Sequence, residues 1–241
     1  MHAYEEYCSN MRAAYSSSRY RIHRCLEHQG FAHAVKSGLE LCTTEYALIA
    51  QHDRNFRITF PFSNLLLDAM DKHTNIRYIG FPSNANINHD LLMKTEYNLD
   101  VLTREYSHEL LASIPEDSKV ASEPLLKLQP LIFWYDSQHL CHVQRYLEIF
   151  RPFKNLPNHL KDEIGLSNVR RMLLKKGDFI EDKFGQMQHR LLTGMVKVNK
   201  ELTCELFQWY GCYLCWWTGD STEVIQNGDS GLFIQIDGKN Y

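Results

Sequence analysis

The spacing of apolar positions changes repeatedly along the first half of the chain. In "GFAHAVKSGLELC", Phe31, Ala34, Val35, Gly38, Leu39 and Cys42 recur at three- and four-residue steps, which predicts an amphipathic helix entered at Gly30. "YALIA" (46–50) follows as a short continuous apolar run, the mark of a strand buried on both faces. Ser63 can cap a helix running through Leu65, Leu66, Leu67, Ala69 and Met70. "IRYIGF" (76–81) reads as another strand, halted by Pro82-Ser83-Asn84. Upstream, residues 4–15 read as helix, and "YRIHRCL" (20–26) alternates as a strand does. Strand, helix, strand, helix, strand implies an α/β domain: a mostly parallel central sheet flanked by helices.

The second half is less regular. Residues 83–129 mix polar runs with short helices. "PLIFWYD" (130–136) then predicts a strand, and "SQHLCHVQRYLEIF" (137–150) a helix that starts at Ser137. "RPFKNLP" reads as a loop, and helices are expected over 158–175 and 178–192. The end reads as β-rich. "LFQWYGCYLCWW" (206–217) precedes "TEVIQ" and "LFIQI", which "NGDSG" joins with strong hairpin-turn chemistry. Neither an internal repeat nor a linker divides the chain, so residues 1–241 are expected to form a single domain.

Composition narrows the function classes. With 44% hydrophobic, 12% aromatic and 23% charged residues the chain has a globular profile. A net charge of −3 offers no electrostatic case for nucleic acid or an anionic membrane surface. No run approaches the about 18 apolar residues of a membrane span, and the first twenty residues lack the layout of a secretory signal. Seven irregularly spaced cysteines argue for reduced thiols. The expectation is a soluble, cytoplasmic chain, or one of the secretory pathway if an N-terminal anchor is missing.

Two acidic spots could carry chemistry. The strand at 46–50 runs into Gln51-His52-Asp53-Arg54, and in open α/β sheets ligands bind beyond the carboxyl ends of strands. The alternative is a strand end that simply meets water. Glu181-Asp182 sits at a predicted helix start, where acids also favour the helix dipole without any catalytic duty.

Together with its context, the first spot carries a resemblance. "GFAHAVKSGLELCTTEYALIAQHD" resembles the central segment of GT-A glycosyltransferases, particularly those similar to family 2, in which a glycine and an Ala-rich helix lead into a strand ending in Asp-x-Asp. "GDFIED" (177–182) resembles their later Glu-Asp motif, and "YGCYLCWW…IQIDGK" falls where their C-terminal region lies. The resemblance implies a Rossmann-like GT-A fold that moves a sugar from a nucleotide-sugar donor to a glycan or other hydroxyl acceptor, with inversion. It implies Asp53 as ligand of Mn²⁺ or Mg²⁺, Asp182 as general base, and Glu181 in an orienting or acceptor-binding role. Gln51, His52 and Arg54 would line the donor diphosphate, with Arg54 suited to a bidentate grip on phosphate oxygens.

The chain departs from that pattern in three places. Gln51 stands where the first Asp of Asp-x-Asp is expected, leaving one carboxylate at the strand tip. No His follows His189 to serve as a late metal ligand. The segment before Asp53 is short for the fold, so the first nucleotide-binding strands are expected to be missing by N-terminal truncation. An inactive or incomplete domain that binds or scaffolds is the alternative function. A hydrolase using Asp53 and Asp182 as its carboxylate pair is a third.

Further candidates stand beside these. Cys212-x-x-Cys215 suits a metal or redox pair or, in an aromatic-rich strand, two core thiols on opposite faces. Asp136, His139 and His142 in "DSQHLCH" suit a metal pair on one helical face or polar contacts to an acceptor sugar. Trp209, Trp216 and Trp217 are either core or sugar-stacking faces.

Overall fold

The computed structural model describes residues 2–17, 21–25, 27–51, 63–83, 86, 88–110, 126–195 and 197–217. Its first half carries α1 (His2–Ala14), α2 (Gly30–Leu39), β1 (Tyr46–Ile49), α3 (Ser63–Lys72) and β2 (Tyr78–Gly80). Then come α4 (His89–Thr95), α5 (Asp100–Tyr106) and β3 (His108–Leu110). The second half begins with β4 (Leu126–Pro130), β5 (His139–His142) and α6 (Val143–Leu147). It continues with α7 (Pro152–Asn155), α8 (Asn158–Ile164), α9 (Leu166–Arg171), α10 (Gln186–Met195), α11 (Lys200–Tyr210) and β6 (Cys212–Trp217).

The fold is α/β, with helices flanking a mixed six-stranded sheet in the order β1-β5-β2-β6-β4-β3. The expected mostly parallel sheet is overturned. Among the described residues only β2 and β6 pair in parallel; β1–β5, β2–β5, β3–β4 and β4–β6 are antiparallel. The cause is an insertion. β1 and β2 do point the same way, as a strand-helix-strand unit requires, but β5 arrives from far along the chain and lies antiparallel between them.

Local readings in the second half also shift. The strand predicted over 130–136 lies earlier: Leu126, Leu128 and Pro130 face the interior in alternation. Leu131, Ile132 and Trp134 are apolar because the irregular segment after the strand is itself buried. There the Ile132 N–H is satisfied by Nε2 of His89 at 3.0 Å rather than by a ladder. The helix expected from Ser137 begins only at Val143, because 139–142 are taken up as β5. Residues 200–210, read in part as strand from their aromatic content, form α11, with the Asn199 side chain accepting from Leu202 N–H at 3.1 Å as its cap. Gly165 divides the helix expected over 158–175 into α8 and α9. Residues 21–25 have no regular structure, and the C-terminal hairpin lies outside the described residues.

One core cluster runs from Ala32 and Leu39 of α2 through Tyr78 and Ile79 of β2 to Phe207 and Tyr210 of α11. No helix among the described residues is long and apolar enough to cross a membrane.

Candidate functional site

β1, β2 and β6 run in one direction and β5 against them, so the carboxyl ends of the first three share a rim with the start of β5. Half-buried Gln51 lies two residues past Ile49, whose partner in β5 is His139. Asp136 lies three residues before His139, so both chain segments emerge at this rim. His52, Asp53 and Arg54 continue from Gln51 and lie outside the described residues.

The later acidic motif reaches the same rim. The backbone N–H of Asp136 donates to Oε2 of Glu181 at 3.1 Å. Glu181 is half-buried and Asp182 exposed, so one carboxylate is held by the protein and the other faces outward. Both open a π-helical turn, Glu181–Gly185, a wide-turn geometry frequent at functional sites. Phe184 anchors that turn, fully buried against Trp134 at 5.3 Å, Trp209 at 5.8 Å and Tyr210 at 5.1 Å between ring centroids. Gly185 closes it. A Cβ there would lie 2.5 Å from the carbonyl oxygen of Trp134, so only glycine lets the turn sit against the buried irregular segment that leads to Asp136.

A second contact ties the two motif segments together. Gly177 N–H donates to the carbonyl of Gln29 at 2.8 Å, and Ala32 N–H to the carbonyl of Asp178 at 3.1 Å. The backbones of Gly30 and Gly177 touch: a Cβ on Gly30 would come within 2.5 Å of Gly177. The start of α2 is therefore fastened to the start of "GDFIED". Beside it the rings of Phe31 and exposed Phe179 lie parallel, 6.2 Å apart.

Asp136 is the most perturbed acid of the rim. It is only 5% exposed. Burial, and then the negative charges of Glu181 and Asp182, push its pKa up to about 7, while the backbone N–H groups of Glu181 and Ile180 pull the other way. Those N–H groups face the carboxyl without bonding it. Neither of its oxygens reaches hydrogen-bonding geometry with any described residue.

The remaining candidates resolve into structure. His139, fully buried, donates from Nδ1 to the carbonyl of Ser137 at 2.5 Å and accepts at Nε2 from the Tyr146 hydroxyl at 3.2 Å. His142 accepts the Arg145 N–H on Nδ1 and turns Nε2 to Glu45 at 3.2 Å. Three residues apart in a strand rather than a helix, the two imidazoles are not on one face, and the metal-pair reading fails. Cys212 and Cys215 are fully buried in β6, and burial pushes both thiols up, which makes them core residues. Among the described residues no group of three or more His, Cys, Asp or Glu is arranged to hold a metal ion.

Trp209 is buried, so it offers no sugar-stacking face. A different row of half-buried rings leads away from the acids at Tyr135: Tyr135 packs on Phe133 at 4.9 Å, Phe133 on His189 at 6.2 Å, and His189 on Tyr97 at 4.9 Å. Neither this row nor the importance of Gly185 is visible from local spacing, because both depend on contacts between distant segments. The one signal in the sequence was Asp136, a lone acid directly after an aromatic run. No protein-family model, curated protein or solved structure matches the chain.

Proposed function

We propose that residues 1–241 form a single GT-A-like domain that transfers a sugar, with inversion, from a nucleotide-sugar donor to a hydroxyl of a glycan or other acceptor. The observation that supports this reading is the meeting of its two motif segments: Gly30 against Gly177, and Glu181 on the Asp136 backbone at the rim where Gln51 emerges. Asp53 and the amide oxygen of Gln51 are oxygen donors of the kind Mn²⁺ or Mg²⁺ selects. When bound, the cation supplies positive charge for the leaving diphosphate. Arg54 and His52 contact the diphosphate. The acceptor oxygen bonds to the anomeric carbon as the bond from that carbon to the diphosphate breaks, and the acceptor's proton passes to the Asp182 carboxylate. Glu181, held by the Asp136 N–H, orients the acceptor hydroxyl.

A nucleoside diphosphate with Mn²⁺, supplied at about a hundred times its Kd, should stabilise the protein by about 2.7 kcal/mol. For a chain of this size that raises Tm by about 5–10 °C. Asp53→Ala should remove the shift. If no nucleoside diphosphate or nucleotide sugar moves Tm, the transferase reading falls. Gln51, a neutral amide in place of a carboxylate, favours a second reading: a module that binds the donor without turning it over. That reading predicts the same shift with no sugar transferred or released.

A further inference from the structure

We propose that Asp136 is a positioning residue for the Glu181-Asp182 pair, holding Glu181 through its backbone and exchanging a proton-dependent contact with the same turn through its carboxyl. The inference deepens the transferase reading and rests on it only for the purpose the acids serve.

Three features of the geometry lead to it. The two segments meet at two points: Asp136 N–H donates to the Glu181 carboxylate, and the Asp136 carboxyl faces, without bonding, the backbone N–H groups of Ile180 and Glu181. The carboxyl is nearly inaccessible, yet neither oxygen has a partner among the described residues, an arrangement that favours the neutral acid. The charges around it have one sign. Glu181 and Asp182 face it from the π-helical turn, and among the described residues the neutral phenols of Tyr78 and Tyr146 approach from the other side.

An ordinary helix cap would be charged and hydrogen-bonded. Asp136 is neither hydrogen-bonded through its carboxyl nor opposed by a cation among the described residues, so burial and two neighbouring carboxylates favour its protonated form up to about pH 7. A proton held there removes one negative charge from a rim proposed to receive a diphosphate. When that proton leaves, the turn carrying Glu181 meets a third carboxylate at close range.

The test follows backbone amides by two-dimensional NMR on the full chain and needs no turnover. In the wild type the Ile180 and Glu181 amides should move together in one step with a midpoint near pH 7, between about pH 5 and about pH 9. Asp136→Asn should abolish that step while leaving the amides of β6 unmoved. It should also raise Tm relative to wild type near pH 8 and not near pH 4, because the amide never has to ionise. Asp182→Asn should keep the step and lower its midpoint, since one repelling charge is gone. The proposal is overturned if the two amides do not titrate in this window, or if Asp136→Asn shows the wild-type step. Failure of nucleotides to shift Tm would remove the transferase reading and leave this result standing.

Discussion

Gly211→Ala should cost about 4 kcal/mol or more of folding stability, a loss few single substitutions reach. Gly211 ends α11 in the left-handed region, at φ 57°, which already disfavours any other residue. The larger effect is steric. A Cβ at this position would lie 1.8 Å from the carbonyl oxygen of Asn75, which is backbone and cannot step aside alone. The same glycine's carbonyl accepts from the N–H groups of Arg77 and Tyr78, at 2.9 and 3.2 Å, just where β2 begins to pair with β6. Relieving the clash therefore opens the parallel β2–β6 pairing. Gly38→Ala is the contrast: nothing lies within 4 Å of a Cβ there, and the residue sits inside α2. It should stabilise by roughly 0.5–1 kcal/mol. Urea unfolding of both variants separates the two cases. A loss below about 1 kcal/mol for Gly211→Ala would mean that the α11–β6 junction is far looser than its hydrogen bonds require.

The second large effect is a loss of stability in acid. His89 and His139 are buried, and burial holds the pKa of each down to about 4. Each has a nitrogen committed as acceptor, from Ile132 N–H and from the Tyr146 hydroxyl, which protonation would destroy. Their folded pKa values are depressed below the unfolded value. The unfolded chain therefore takes up protons that the folded chain refuses, and stability is lost as pH falls from about 6.5 to about 4. Each contributes a loss of about 3 kcal/mol over that window. The stacked pair His73 and His108, with centroids 3.8 Å apart, shifts the same way.

Asp136 acts with the opposite sign. Its folded pKa is raised, so the folded protein gains about 3 kcal/mol as pH falls through the same window. Between about pH 6.5 and about pH 4, Asp136→Asn should therefore lose about 3 kcal/mol more than wild type, because the histidine losses are common to both proteins. Denaturant midpoints at the two pH values check that difference. Equal acid losses in the two proteins would contradict the opposing signs.

Periodicity carried the reading where elements are local. α2, β1, α3 and β2 follow from three- and four-residue steps and short apolar runs, and each falls within a few residues of its predicted place. Pairing order did not follow, because nothing in "YALIA" announces that "HLCH" will lie beside it. β5 hid for a related reason: it is only four residues long, carries two histidines and runs directly into α6. α11 was partly lost because Phe207, Trp209 and Tyr210 have strand propensity, while their helical face shows only when Thr203, Leu206 and Tyr210 are seen buried together. At the site, Gly30, Gln51 and Glu181 were each legible as parts of motifs. That Gly30 touches Gly177 and that Glu181 rests on Asp136 are long-range facts with no local trace.

The proposed transferase places a metal-diphosphate seat at the rim where Gln51, Asp136 and Glu181 emerge. Mn²⁺ is paramagnetic and broadens nearby amide signals, so the direct measurement is the NMR spectrum with a nucleoside diphosphate before and after Mn²⁺ is added. The prediction is broadening at Gln51, Ser137 and Glu181, with sharp signals at the opposite ends of the strands, Tyr46 and Val143, and no broadening in Asp53→Ala. Uniform broadening, or broadening centred on Tyr46 and Val143, would contradict it.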